Sequence, residues 1–173
     1  RATQERTAPG STFKPLSAVA GLCEGVISTS LSDTITCTGV YTKVSNHPKC
    51  WILTQNGGSH GAENVFDAIK DSCNCYFYEV GFRLGSTGNG MSNEVGLAKM
   101  AEYATMFGLG DKSGLETEES EPMISDETVV PSAIGQGSHN YTISQLARYV
   151  TTIANSGTCY NLSLLDKVTD STG

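Results

Sequence analysis

A chain of 173 residues that is 38% hydrophobic carries enough apolar surface for one core and is near the size of a single domain. Charged residues make up only 17% and the formal net charge is −7, which excludes the clustered Lys and Arg of a phosphate-backbone binder, so no nucleic-acid partner is expected. No run approaches the roughly 18 apolar residues of a membrane-crossing helix, and the sequence opens on Arg1 without a leader peptide, so we expect a piece of a longer protein.

Residues 1–10 are polar and close on Pro9-Gly10, a turn signal. Ser11 is placed to open a helix through Leu22, with Pro15 tolerated in its first turn. Residues 28–62 are rich in Ser, Thr, Gly and Asn, with short apolar pieces at Val40-Tyr41 and Trp51-Ile52-Leu53. They predict a long loop region with short strands, and a loop of that length needs a function or a staple. Val65, Phe66 and Ile69 recur at helical spacing, Asp71-Ser72-Cys73-Asn74 interrupts, and an apolar face resumes from Cys75 to Leu84. A Gly-rich turn covers 85–90. Residues 93–107 predict an amphipathic helix capped by Asn93 and stopped by Gly108-Leu109-Gly110. Residues 111–130 are acidic and irregular. A second strong helix is predicted at 142–155, with Thr142 as N-cap and Gly157 just past its end.

Two short patterns carry chemistry. In Ser11-x-x-Lys14, residues three apart share one helical face, so hydroxyl and amine can meet. A serine hydroxyl becomes a useful nucleophile only when a base takes its proton, and a buried lysine has the lowered pKa that this requires. The tetrapeptide alone is common, and a surface serine and lysine account for it as well. Downstream, Ser72-x-Asn74 supplies a hydroxyl able to relay a proton and an amide able to hold a carbonyl; a helix N-cap explains the same letters.

Longer segments point further. Ala8-Pro-Gly-Ser-Thr-Phe-Lys-Pro-Leu16 resembles the nucleophile segment of high-molecular-weight penicillin-binding proteins, class B in particular. Ala68-Ile-Lys-Asp-Ser-Cys-Asn74 followed by Tyr76-Phe-Tyr78 is similar to their second motif. Phe107-Gly-Leu-Gly110 with Lys112-Ser-Gly114, Ala133-Ile-Gly-Gln-Gly137, Gln145-Leu-Ala147 and Ile153-Ala-Asn-Ser-Gly-Thr158 resemble the stretches between the second and third motifs. The family's third motif is Lys-Thr-Gly or Lys-Ser-Gly. Lys112-Ser113-Gly114 has those letters but stands before the 142–155 helix, whereas the third motif is expected after residue 155.

The resemblance implies a mainly α chain, the helix-rich core of the α/β serine transpeptidase/β-lactamase-like fold with most of its sheet outside these residues, and residues 1–173 as part of one transpeptidase domain. It implies a D,D-transpeptidase acting on peptidoglycan stem peptides that end in D-Ala-D-Ala and acylated by β-lactam antibiotics. Ser11 would be the nucleophile, Lys14 its base, Ser72 a proton relay and Asn74 the holder of the acyl amide. A β-lactam-sensing domain, a β-lactamase and an inactive fragment are the alternatives. The parent protein is expected to be membrane-anchored, facing the extracytoplasmic side and part of a cell-wall synthesis complex.

Six cysteines remain to be explained. Three thiols and an imidazole suit a closed tetrahedral zinc site, and Cys37, Cys50, His60 and Cys73 are the expected ligands of a structural Zn2+; the Cys37, Cys50 and His60 region also resembles segments of some Gram-positive penicillin-binding proteins, which implies that the ion lies near the active site. The spacing is not that of a zinc finger; the choice of Cys73 over Cys75 rests on family members that read Ser-Cys-Asn. A Cys37–Cys50 disulfide and free buried thiols are the competing uses. Cys23 and Cys159 are expected to be structural, and His47 and His139 surface residues.

Overall fold

The computed structural model describes residues 1–169. A two-residue strand β1 (Arg6–Thr7) leads into a 3-10 turn (Gly10–Phe13) that continues as α1 (Lys14–Cys23). Pro15 falls in the first turn of α1, where its missing N–H removes no helical bond. After β2 (Ile35–Cys37), α2 (Trp51–Asn56) and β3 (Gly61–Glu63) come two helices in close succession, α3 (Val65–Lys70) and α4 (Asn74–Leu84). A small hairpin, β4 (Ser86–Thr87) and β5 (Gly90–Met91), precedes α5 (Asn93–Met106). Then follow α6 (Val129–Ser132), β6 (Tyr141–Thr142) and α7 (Ile143–Ala154). The strands form three separate two-stranded ribbons, β1–β6, β2–β3 and β4–β5, all antiparallel. The chain is therefore mainly helical, as expected.

The core is built around α4, which packs on α1, α5 and α6. Cys75 to Gly81 and Leu84 are all buried, so α4 is covered nearly all round rather than along one stripe. At Gly81 an added Cβ would stand 2.8 Å from the Ala133 side chain and 2.9 Å from the Val129 carbonyl; only glycine lets α6 approach so closely. The 28–62 region lies against α4 through a buried carboxylate. Glu79 accepts from the Tyr41 hydroxyl (2.8 Å), Lys43 Nζ (2.7 Å) and Arg83 Nε (2.9 Å). Burial by itself would push this carboxyl up, but the bonds from Lys43, Arg83 and Tyr41 outweigh it and hold Glu79 below the usual carboxylate value.

Several local expectations change. Trp51-Ile52-Leu53 is not loop or strand but the start of α2, whose ending at Gly57 in the left-handed region is a helix signal that the poor helix-forming residues around it had obscured. The Gly-rich turn at 85–90 is the β4–β5 hairpin. The cap of α5 is Ser92, whose hydroxyl accepts from Val95 N–H (3.3 Å), while Asn93 accepts from Val129 N–H (3.1 Å) and ties α5 to α6. His139 is buried rather than superficial. Its Nδ1 accepts from Ser125 N–H (3.0 Å) and lies 2.9 Å from the Tyr141 hydroxyl, and burial lowers its pKa to about 4. Cys23 and Cys159 are exposed, which is not where structural thiols sit, and His47 is exposed as expected. Thr142 caps α7 in a full capping box with Gln145.

Candidate active site

The 3-10 turn explains how Ser11 and Lys14 come together, because its three residues per turn eclipse positions i and i+3. Ser11 is exposed at the surface while Lys14 is 2% exposed. Two neighbours pin the turn. Gly10 N–H donates to the Gly135 carbonyl (3.0 Å), and at Gly135, with φ +72°, a Cβ would stand 2.1 Å from the Gly10 oxygen. From α7, the Tyr149 hydroxyl donates to Thr12 C=O (2.9 Å) and accepts from Leu16 N–H (3.2 Å), so it is inserted where the helix ladder begins.

The second motif is formed by the junction of α3 and α4. Asn64 caps α3, accepting from Phe66 and Asp67 N–H. At the other end Cys73 N–H donates to Ala68 C=O (3.0 Å) and Ser72 N–H to Ile69 C=O (3.2 Å). These are the two bonds of a Schellman ending, with Ser72 at φ +52° in the left-handed position that glycine usually fills. Cys73 then caps α4, its sulfur accepting from Tyr76 N–H (3.4 Å), and Asn74 opens that helix.

Lys14 Nζ is the hub that joins the two motifs. It lies 3.1 Å from Ser11 Oγ, 2.9 Å from Ser72 Oγ, 2.7 Å from the Ser72 carbonyl and 2.7 Å from Asn74 Oδ1. The carbonyl and the amide oxygen can only accept. A neutral amine gives its two N–H bonds to them and turns its lone pair toward the two hydroxyls. Burial lowers the Lys14 pKa to about 8, against the opposing charges of Cys50, Cys73 and Glu63. Such an amine can act as a base near neutral pH, and the Ser11 hydroxyl lies within its reach.

Cys37, Cys50, His60 and Cys73 form a second cluster, their ligand atoms all within 4.8 Å of one another. Antiparallel pairing sets Cys37 opposite Gly61, beside His60; Cys50 precedes α2 and Cys73 precedes α4. The Cys50 sulfur stands 3.6 Å from His60 Nδ1. A tetrahedral ion with sulfur at about 2.3 Å and nitrogen at about 2.05 Å separates these ligands by about 3.6 Å. The donors also fit chemically. Hydrogen bonds from the Cys73 and Cys75 thiols hold the Cys50 thiol far below its usual range, and the same contacts with Cys50 push Cys73 and Cys75 up. Asn74 N–H also donates to the Cys50 sulfur (3.3 Å). Two buried atoms beside the cluster, His60 Nε2 and Glu63 Oε2, have no partner. This cluster can hold a metal ion, and all six cysteines are free rather than paired.

The other lettered match, Lys112-Ser113-Gly114, is engaged elsewhere. Ser113 donates through N–H (2.7 Å) and hydroxyl (2.9 Å) to Glu119, and Lys112 pairs with Glu121 (2.9 Å). Glu63, Trp51 and Tyr149 border the two clusters without having been singled out from the sequence. For Trp51, the sole tryptophan standing next to Cys50 was the available signal.

The family model described as the penicillin binding protein transpeptidase domain matches residues 1–173. The chain is 31% identical over 175 residues to the peptidoglycan D,D-transpeptidase MrdA of Acinetobacter baumannii, covering 91% of this chain and 23% of that protein. Among solved structures it is similar to a chain of a peptidoglycan synthase complex that coordinates polymerization and crosslinking, with TM-score 0.79 and 28% identity over 96% of this chain and 28% of that one. It shares its fold with penicillin-binding protein A of M. tuberculosis, solved as an imipenem acyl-enzyme, at TM-score 0.70 and 22% identity over 91% of this chain and 34% of that one. The chain spans about a quarter of the length of the curated relatives it matches.

Proposed function

Because this chain belongs to the penicillin-binding protein transpeptidase family, we propose that it carries the acylation machinery of a peptidoglycan D,D-transpeptidase. Residues 1–173 are read as part of one transpeptidase domain of a cell-wall enzyme anchored at the extracytoplasmic face of the membrane; no helix among the described residues is long and apolar enough to cross one. The substrate is a stem peptide ending in D-Ala-D-Ala, and β-lactams, whose strained amide mimics that bond, acylate the same serine. A larger cell-wall synthesis complex is the setting, by analogy with the similar chain of a peptidoglycan synthase complex.

The chemistry follows from the hub. Lys14 takes the Ser11 proton as Oγ attacks the scissile carbonyl, forming the ester bond. The C–N bond then breaks, and the proton passes to the leaving amine, for which Ser72 Oγ, 2.9 Å from Lys14 Nζ, is the relay. Asn74 is held by Lys14 through its Oδ1, which leaves its side-chain NH2 to donate to a substrate amide carbonyl. In the second half-reaction an acceptor amine from a neighbouring strand replaces the leaving group and the roles reverse.

Zinc is the ion we propose for Cys37, Cys50, His60 and Cys73. Bound there it supplies no redox chemistry and ties three loops to the start of α4. The observation that carries the functional reading is a buried Lys14 amine within 3.1 Å of the exposed Ser11 hydroxyl and bonded to both residues of the second motif. Benzylpenicillin added to the full-length protein is expected to give a one-to-one adduct that maps to the Ser11 peptide, persists, and disappears in Ser11→Ala. Rapid turnover of the antibiotic would favour a β-lactamase instead, and the absence of any adduct would sink the serine acyl-transfer reading.

A further inference from the structure

The Ser72 carbonyl has two donors, and only one of them belongs to the acylation machinery. Lys14 Nζ reaches it at 2.7 Å, and the indole Nε1–H of Trp51 reaches it at 3.1 Å while also standing 3.1 Å from the Asp71 carbonyl. Ser72 is a non-glycine residue at φ +52°, a sparsely populated conformation that persists only where its surroundings enforce it. Trp51 bridges the two carbonyls of this left-handed turn. Its ring also meets His60 edge-on, with centroids 5.4 Å apart at 60°, and it follows Cys50 directly in the chain. α2 contains no fully buried side chain and holds the core through the partly buried Trp51 and Ile52.

We infer that Trp51 is a positioning residue for acylation, its indole N–H fixing the Ser72 carbonyl that orients the Lys14 amine. The reason is directional. Lys14 presents its lone pair to Ser11 only while both of its N–H bonds are taken by the Ser72 carbonyl and Asn74 Oδ1. The same peptide is held on its other edge by Cys73 N–H on the Ala68 carbonyl (3.0 Å), so without the indole the Ser72 carbonyl tilts about that bond, its contact with Lys14 lengthens, and the amine turns away from the hydroxyl. Misplacement of about 1 Å at such a centre costs a factor of about 100 in rate. The inference rests on the acyl-transfer reading above. It also makes Trp51 a rigid strut between the Cys/His cluster and the second motif.

The test replaces Trp51 in the full-length protein by benzothienylalanine, which keeps the bicyclic shape and removes only the N–H, with Trp51→Phe alongside. Benzylpenicillin acylation is resolved into the dissociation constant of the non-covalent complex and the acylation rate. Lys14 is followed independently by competitive labelling of its amine across pH. The expected result is an acylation rate lower by a factor of about 10 to 100, a dissociation constant within about twofold of the parent, and a Lys14 labelling profile displaced from the parent's. A benzothienylalanine variant with the parent's rate and labelling profile would overturn the inference, whether or not Trp51→Phe folds. A parent protein that forms no adduct would defeat the acyl-transfer reading alone, and the Lys14 profile would still decide whether Trp51 positions that amine.

Discussion

The α1–α4 junction and the 28–62 region lie side by side and are held together by different physics. Around α4 the chain is fixed by apolar burial, helix caps and a lysine whose polar neighbours are all engaged. Between residues 28 and 62 there are three-residue strands and one short helix without a buried side chain. There, apolar anchors are few, with Ile35 and Tyr41 reaching the core, and order also comes from polar groups: the Glu79 network and the Cys/His cluster. A reaction centre needs the first kind of support, since its groups must hold still to a fraction of an ångström. A covering loop can rely on the second kind, which makes its order conditional on the ligand set.

The sharpest way to break this comparison is at the hub. Lys14→Met keeps the buried stem and removes the base, and the acylation rate is expected to fall by about 10² to 10⁴, measured by time-resolved mass spectrometry of the adduct. In the proposed mechanism the neutral amine is the active form, and burial lowers its pKa to about 8. The rate is therefore expected to rise about tenfold per pH unit below about 8 and level off above it; a rate flat between pH 6 and 9 would remove Lys14 from the role of base.

The next effect belongs to the 28–62 region. One zinc ion per chain is expected by elemental analysis, and its removal by a chelator should lower the melting temperature by about 10 °C or more. Proteolysis should then begin between residues 28 and 62 while the α1–α4 core stays protected. Equal protection of both regions after chelation would erase the distinction drawn here. The smallest effect tests the helix side alone. Asn64→Ala removes the cap of α3, where Asn64 accepts from Phe66 and Asp67, and should cost about 1 kcal/mol in denaturant unfolding.

Reading the chain in order recovers the helices better than the loops. Apolar spacing marked α3, α4, α5 and α7, because a helix that buries one face repeats it every three to four residues. The cap of α7 was equally legible, since Thr142 and Gln145 stand at capping-box spacing. The start of α5 at residue 93 is legible, but its cap is Ser92 rather than Asn93, because both are good caps and only the bond to Val129 N–H uses up the asparagine. α2 was missed because one and a half turns of Trp, Ile, Leu and Thr carry little periodic signal. Ser72 looked like a cap and is the left-handed end of α3; nothing local announces a serine where glycine is usual.

By itself the sequence determined the helical class of the chain, the family, and the residue types able to act as nucleophile, base and metal donor. These follow from local pattern and side-chain chemistry, which the order of residues carries directly. Tertiary structure alone decided that Lys14 meets Ser72 and Asn74 across nearly sixty residues, that a thiol at the end of β2 faces an imidazole before β3, and that Trp51 reaches back to the Ser72 carbonyl. Such contacts depend on how elements dock in space, and distance along the chain says nothing about that until the core has set their relative positions.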